Sequence, residues 1–409
     1  MEPSHAAPLA YAAMPPLLSI DEALALVLEH AQPLGAEMVP IERAARRFLA
    51  EDVQALVDLP PFRSSAMDGF ALRAADTPGR LPVVARIPAG QPVAAPLRPG
   101  AAMGIATGGS VPDGADAVVP LELVDDEGDS ITVPASVAEQ DNVRAVGSDV
   151  RAGDLLLPAG SSLGPAQIGA LAAAGLATVR CGRRPRVAIL STGSELRPAG
   201  EPLGPGQIYE SNAPMIAAAL ESAGAEVTRL APVADEPGLH RAALERGLAA
   251  DVLVSSGGVS VGPHDLVRQV GAELGVEQIF WGVAVKPGKP LAFGRRGATL
   301  VFGLPGNPVS ALVAIELFVR PAVLAQQGAS DPEPAYAVGR LATPLRGSSA
   351  RDQLVRARSR LEDGETVLEP LSVQESHMIA RAAGADVLVL VRRGDRDHSA
   401  GDRLPFLRL

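Results

Sequence analysis

Of the 36 lysine and arginine residues in this 409-residue chain, two are lysine, Lys286 and Lys289 in the stretch VAVKPGKPLAFG, and 34 are arginine. A chain that uses arginine everywhere else and keeps lysine at two neighbouring positions points to chemistry that wants a compact ammonium on a flexible stem, because lysine binds an oxyanion as a point charge where arginine offers a planar fork. Pro287, Gly288 and Pro290 hold the two lysines three residues apart on a stiff turn, a mount suited to a polyoxygen anion. A plain surface turn would explain the prolines and glycine, not both lysines. GVAVKPGK is not a Walker-type phosphate loop: five residues separate Gly282 from Gly288 where four are needed, and Pro290 stands where Ser or Thr should.

Carboxylates recur at loop positions: Asp68 in SSAMDGF, Glu195 in STGSEL, Asp235 in VADE and Asp265 in VGPHDL. Taken singly, each reads as a turn or capping residue. Converging beside lysines, they would suit Mg²⁺, which takes one or two carboxylates together with substrate phosphates. GVSVG, residues 258 to 262, matches the G-x-S-x-G nucleophile pattern, with Ser260 as nucleophile and His377 or His398 as its base. Gly257 and Gly258 lengthen that loop and the next helix is expected only at Asp265, so a glycine loop whose amides meet a phosphate or a flat ring is the better reading. The six histidines are scattered, with no HExxH pair to suggest zinc.

These residues fall on a recognisable framework. From Arg186 to about Gln326 apolar runs alternate with amphipathic stretches: RVAIL, a helix from about Tyr209, EVTRLAP, a helix near Gly238, DVLVSS, a helix from Asp265, TLVFG, and a helix from Val309. This is the pattern of a parallel sheet with helices on its faces. STGSE, VADE, SSGGVSVG and GLPGNP each follow a strand, and ligands of open α/β sheets sit beyond the carboxyl ends of the strands, so one crevice is expected to gather all four loops. Upstream, SIDEALALVLEH predicts a capped helix with Ser19 as N-cap and Glu22 three residues on. Short extended runs such as LPVVARIPAG and DSITVPASV predict a small β module, and PAQIGALAAAGLATV a further helix. Beyond Asp331, LVRARSRL, an Asp363-Gly364 turn, TVLEPL and DVLVLVRRG predict a β domain of ~75 residues. The division expected is a discontinuous helical region, 1–52 with 150–183, an inserted β domain, 53–149, an α/β domain, 184–330, and a C-terminal β domain, 331–409.

Composition narrows the ligand. A net charge of −11 and a pI near 5.1 argue against nucleic acid and anionic membrane, leaving a local basic pocket for a small molecule. Cys181 is the only cysteine, which excludes an intramolecular disulfide and any multi-cysteine metal site and fits a reducing compartment. The start, MEPSHAAPLAYAAMPP, lacks a secretory signal's positive residues, and no apolar run approaches the ~20 uninterrupted residues of a membrane span. A cytoplasmic protein is expected.

Together, PPFRSSAMDGFAL, ATGGSVPDGADAVVPLE, STGSEL with GQIYESN, SSGGVSVGPHD, VKPGKPLAFG and GLPGNPVSAL resemble the motifs of the molybdopterin molybdenumtransferase family, which includes the E domain of gephyrin. Order and spacing hold from about Ser19 to the C-terminus. The resemblance implies a multidomain α/β fold: a parallel sheet domain of the molybdopterin-binding type, N-terminal helical and inserted β regions, and a small C-terminal β-barrel. It implies a Mg²⁺-dependent transferase in molybdenum-cofactor synthesis, inserting molybdate into adenylylated molybdopterin with release of AMP. It also implies a homodimer whose active sites join the sheet domain of one subunit to the N-terminal β region of the other, and transient partners in a molybdopterin adenylyltransferase and apo-molybdoenzymes.

By motif position, Asp68, Glu195, Asp265, Lys286 and Lys289 resemble the catalytic set, with Asp68, Glu195, Asp235 and Asp265 as candidate metal ligands. Thr107, Thr192, Gly193, Ser194, Ser256, Gly257, Gly258, Ser260, Pro305, Gly306, Asn307 and Pro308 resemble the residues that bind the pterin nucleotide. Ser310, with Arg356 and Ser376 from the C-terminal domain, resembles molybdate or phosphate contacts. Two positions depart from the pattern: Ser194 where the family commonly has Asp, and Gly282 where it frequently has a basic residue. A non-catalytic pterin-binding scaffold or carrier is the alternative, and so is a related pterin-type domain that acts as a nucleotide hydrolase or deamidase.

Overall fold

The computed structural model describes residues 17–88, 90–91, 95–234, 236–258, 266–348 and 350–409. Met38–Cys181 forms one compact unit, and the rest of the described chain forms another.

The larger unit is built on a six-stranded sheet in the order Glu226–Arg229, Arg186–Ser191, Val252–Ser256, Thr299–Leu304, Ala292–Arg296 and Glu277–Trp281. The first four strands run parallel in register, and the last two join as antiparallel partners. Arg186–Ser191 and Val252–Ser256 are buried almost throughout because helices cover both faces, as continuous apolar runs predict. Helices Asn212–Ser222, Pro237–Gly247, Leu266–Glu273 and Pro308–Ala314 follow the four parallel strands, as expected from sequence. The antiparallel extension was not expected; its strands are short and lack a helical segment between them.

Helix Ile20–His30 carries the expected capping box: Glu22 N donates to Ser19 Oγ at 3.2 Å, and Ser19 N to the Glu22 carboxylate at 2.7 Å. Its apolar stripe, Ile20, Ala23, Leu24 and Val27, is buried in the same core as Val187, Val254 and Phe302 of the sheet. This helix therefore packs with the α/β core, whereas the sequence reading grouped it with residues up to 52. The helix Pro308–Gln326 is 19 residues long and apolar enough to span a membrane by composition, yet 67% of its most apolar 18-residue stretch lies buried inside the fold. It is the central core helix, interrupted by a π-helical turn over Ile315–Val319.

Strands Asp352–Glu362, Glu365–Pro370, Ala337–Leu341, Arg403–Arg408 and Val387–Val391 close on one another, since Asp352–Glu362 pairs with both Glu365–Pro370 and Val387–Val391. The result is the small barrel expected from sequence. Asp363 and Gly364, both at positive φ, make the two-residue turn read from their identities. One further strand joins the barrel's edge: Val285–Lys286 pairs in parallel with Asp352 and Gln353, so the first lysine is bound into the C-terminal sheet.

The smaller unit holds a six-stranded sheet, Ala117–Pro120, Gly69–Leu72, Ala102–Ile105, Gly79–Ile87, Ser130–Val133 and Asp125–Asp126, with separate apolar cores around Phe70 and Met103. Helix Pro165–Ala173 buries Leu171 in a third core with Leu49, Leu163 and Cys181.

Within the larger unit one ionic knot fixes the amino-terminal edge of the parallel sheet. Asp251, one residue ahead of its strand, accepts from both Arg183 Nη atoms at 3.0 and 2.9 Å and from Arg186 N at 2.8 Å, while its carbonyl accepts from Leu300 N at 3.0 Å. Burial alone would raise the Asp251 carboxyl, but the hydrogen bonds from Arg183 and Arg186 outweigh it and bring it to about 2. An unfolded aspartate titrates near about 3.9, so this stabilisation is complete above that pH and is lost as the pH falls towards 2. Urea unfolding midpoints are expected to drop between about pH 4 and pH 2 in the native protein, and Asp251→Asn should lower the neutral midpoint and flatten that acid limb.

Candidate active site

The carboxyl ends of the parallel strands and the facing edge of the barrel enclose two adjoining cavities. One, of about 660 Å³, is lined by Thr192, Gly193, Glu195, Ser256, Gly257, Gly258, Gly306, Asn307 and Pro308, all read from sequence, and by Ser191, Tyr209, Glu210, Asn212, His377 and Ile379. The other, of about 670 Å³, is lined by Lys286, Lys289, Pro305, Asn307 and Ser310, together with Arg351, Ser372, Gln374, Glu375, Ser376 and His377. Asn307 and His377 belong to both walls. Both volumes suit a small-molecule ligand.

Backbone conformation shapes the first cavity. Gly257 has φ +92°, and a Cβ there would stand 2.7 Å from the Thr192 carbonyl oxygen, so a side chain is excluded twice over. A Cβ at Gly306 would come within 3.8 Å of Gly257 Cα, which places the 256–258 and 305–308 loops close together. Asn212, buried at the start of its helix, ties them: its Nδ2 donates to Ser256 Oγ at 2.7 Å and to the Gly306 carbonyl at 2.8 Å. Its Oδ1 is buried with no protein partner. Glu210 accepts from Ser191 Oγ at 3.0 Å and from Ala213 N at 2.8 Å, so one of its oxygens is occupied in holding the end of the first strand against the helix start. Sequence reasoning quoted GQIYESN but singled out neither Glu210 nor Asn212; a carboxylate and an amide flanking a helix start were the available signal.

The second cavity is cationic at its floor. Lys286 is exposed, Lys289 half-buried, and Arg351 adds a third positive charge that sequence reasoning missed. Its far wall is the 371–378 loop of the C-terminal region, fastened in two ways. Asn307 Nδ2 donates to Ser376 Oγ at 3.1 Å, and Val309 N to the Ser376 carbonyl at 3.1 Å. Beneath the loop, the Arg356 guanidinium, 1% exposed, donates to the carbonyls of Val373, Glu375 and Met378 at 3.2 to 3.3 Å and to Gln374 Oε1. Arg356 was expected among the substrate contacts; the structure spends its donors on the loop backbone instead, and burial holds its guanidinium below its ordinary value. Ser376 lines the cavity.

Gly282 has a local reason to lack a side chain. Its φ is +90°, and a Cβ would lie 2.6 Å from Leu17 Cδ2, because the chain entering the first helix runs beside it, with Ala284 N donating to the Leu18 carbonyl at 2.7 Å. Ser194 is exposed on the turn before Glu195.

Asp68 and Thr107 lie in the smaller unit. Thr107 donates from N at 2.7 Å and from Oγ1 at 3.0 Å to Asp68 Oδ1, and these bonds hold the Asp68 carboxyl below its ordinary value. The structure brings this pair together, a contact that the sequence reading did not single out. Asp235, Ser260 and Asp265 fall outside the described residues. Among the described residues no group of three or more His, Cys, Asp or Glu side chains is placed to hold a metal. A separate apolar cavity of about 410 Å³, beside helix Leu266–Glu273, is lined mainly by residues such as Val267, Val276, Phe293 and Val301 and offers little to a polyanion.

Fold and site define an α/β protein with a polar, glycine-walled cavity at the carboxyl ends of its parallel strands, next to a cavity that carries three cationic side chains. Comparison with known proteins gives that class its family. Residues 18–175 match the MoeA N-terminal region (domain I and II), residues 188–325 the probable molybdopterin binding domain, and residues 338–409 the MoeA C-terminal region (domain IV). The chain is 38% identical over 354 residues to molybdopterin molybdenumtransferase 2 of Mycobacterium tuberculosis, covering 83% of this chain and 87% of that protein. It is 34% identical over 403 residues to the molybdopterin molybdenumtransferase of Haemophilus influenzae, covering 96% and 100%. Crystal structures of molybdopterin biosynthesis MoeA protein from Pyrococcus horikoshii superpose with TM-scores of 0.78 at 31% identity and 0.83 at 27%, each over 96% of this chain and 99% or 100% of the other. The chain belongs to the molybdopterin molybdenumtransferase family.

Asn212 carries a direct test of the cavity wall. Asn212→Ala strands the Ser256 hydroxyl and the Gly306 carbonyl, so it is expected to cost about 1–3 kcal/mol in urea unfolding. Weaker retention of a pterin nucleotide should accompany it in equilibrium dialysis.

Proposed function

We propose that this protein is the transferase of molybdenum-cofactor synthesis that inserts molybdate into adenylylated molybdopterin and releases AMP. The observation that carries this reading is the shared wall: a polar cavity under glycine loops adjoins a cavity floored by Lys286, Lys289 and Arg351, and Asn307 and His377 border both. A pterin nucleotide in the first would present its dithiolene to an oxyanion in the second. The stiff Lys-Pro-Gly-Lys turn would hold molybdate, a tetrahedral dianion, at that boundary, drawing it into an acidic protein and converting an encounter of two substrates into a reaction between neighbours. Gly257, Gly258 and Gly306 let the backbone approach a flat ring or a phosphate closely.

The donor set of the first cavity fits Mg²⁺. Glu195 and Glu210 offer hard carboxylate oxygens beside serine and threonine hydroxyls, and this ion uses one or two carboxylates with substrate phosphates. When bound, it would neutralise charge on the phosphoanhydride as AMP departs. Glu195 is our first choice of ligand, because Glu210 already caps a helix; Asp235 and Asp265 are the further candidates read from sequence. We assign Asp68, with Thr107, to an active site completed across a homodimer, the arrangement that the family resemblance implies. Arg356 becomes a positioning residue for the 371–378 loop, while Ser310 and Ser376 remain candidate oxyanion contacts. A four-part division with helix Ile20–His30 assigned to the α/β domain, a cytoplasmic setting, and transient contact with an adenylyltransferase and apo-molybdoenzymes complete the reading.

The test combines purified protein, adenylylated molybdopterin, Mg²⁺ and molybdate, following AMP release and reconstitution of an apo-molybdoenzyme. Lys286→Ala and Lys289→Ala should each raise the molybdate requirement about tenfold or more, since a charge-assisted contact contributes about 1.5–3 kcal/mol. Binding of the pterin nucleotide without AMP release would instead identify a carrier or scaffold.

A further inference from the structure

His377 is the one histidine among the residues that line either cavity, and it lines both. Its loop is held from below by buried Arg356 and from the side by Asn307 and Val309, so its backbone is fixed at the boundary. Its Nδ1 lies 3.5 Å from the Glu375 carboxylate, which leaves Nε2 for a substrate. The charged groups that share its surroundings are Lys286, Lys289 and Arg351 on the oxyanion side, and Glu195 and Glu210 on the other, with the Tyr209 phenol.

Insertion of molybdate into an ene-dithiol makes two Mo–S bonds and breaks one Mo–O bond. Molybdenum stays hexavalent, and the departing oxygen leaves as water with the two protons that the sulfhydryls give up. Lysines hold the anion's charge but suit proton delivery at neutral pH poorly, whereas an imidazole is the side chain whose ordinary titration falls there. We propose that His377 is the proton donor of this step: its imidazolium protonates the leaving oxygen from Nε2 and is recharged by a sulfhydryl proton. The proposal rests on the transferase reading above and adds to it the acid that the sequence did not reveal.

The experiment measures single-turnover molybdate insertion and AMP release from about pH 5.5 to 9, across the range in which imidazole titrates, in the native protein, His377→Gln and His377→Ala. Insertion by the native protein should fall on the alkaline side. His377→Gln should be about 100-fold slower with that limb abolished, in line with the weight of a general acid, while the KM for molybdate changes little. Added imidazole should restore part of the rate to His377→Ala. A native rate and pH profile in His377→Gln, or a raised KM at unchanged kcat, would overturn the proposal. If the native protein itself binds the pterin nucleotide and consumes no molybdate, the transferase reading falls, and this step with it.

Discussion

Everything at this site depends on keeping two loops at the ends of neighbouring parallel strands close enough to form one wall. Close approach is what glycine permits, and it leaves little side-chain material to hold the loops in place. A single buried amide supplies the hold: Asn212 donates at once to the end of one strand and to the loop that follows the next. A hydroxyl could not make both bonds, and a carboxylate would offer acceptors where two donors are needed. The cavity is therefore defined by hydrogen bonding within a buried polar network more than by apolar packing.

The same division of labour recurs on the barrel side. The 371–378 loop has few apolar anchors, and a buried guanidinium gathers its carbonyls from beneath. Arginine is suited to this because its fork of five donors can serve several acceptors at fixed angles while its charge persists on burial. Polar wall residues are thus carried on a mount whose rigidity comes from behind the site, and the surface facing the ligand is left unencumbered.

The alternation of apolar strands with amphipathic helices was legible because the period of the pattern and the small-residue punctuation agree, and the loops of the crevice followed from that order. The lysine pair was legible by contrast with an arginine-biased background. What could not be read were the partners that meet across long separations. Arg351 and His377 lie 62 or more residues beyond Lys289 in the chain, and nothing in local spacing says that this edge of the barrel faces the lysine turn. Arg356 was read as a ligand contact from its motif position alone; its neighbours Val355 and Ala357 are buried too, which puts that stretch in the core. Helix Ile20–His30 was placed with its sequence neighbours, whereas its apolar stripe is matched by the sheet core.

Because both lysines of this chain lie in one cavity, its side-chain amine chemistry is spatially confined. Across the remaining surface, where most proteins scatter primary amines, there are guanidinium groups that acylating reagents and lysine-modifying enzymes leave untouched. Any lysine-directed modification of the folded protein, accidental or regulatory, is therefore also a modification of that cavity, and the extent of labelling reports how much of it is covered.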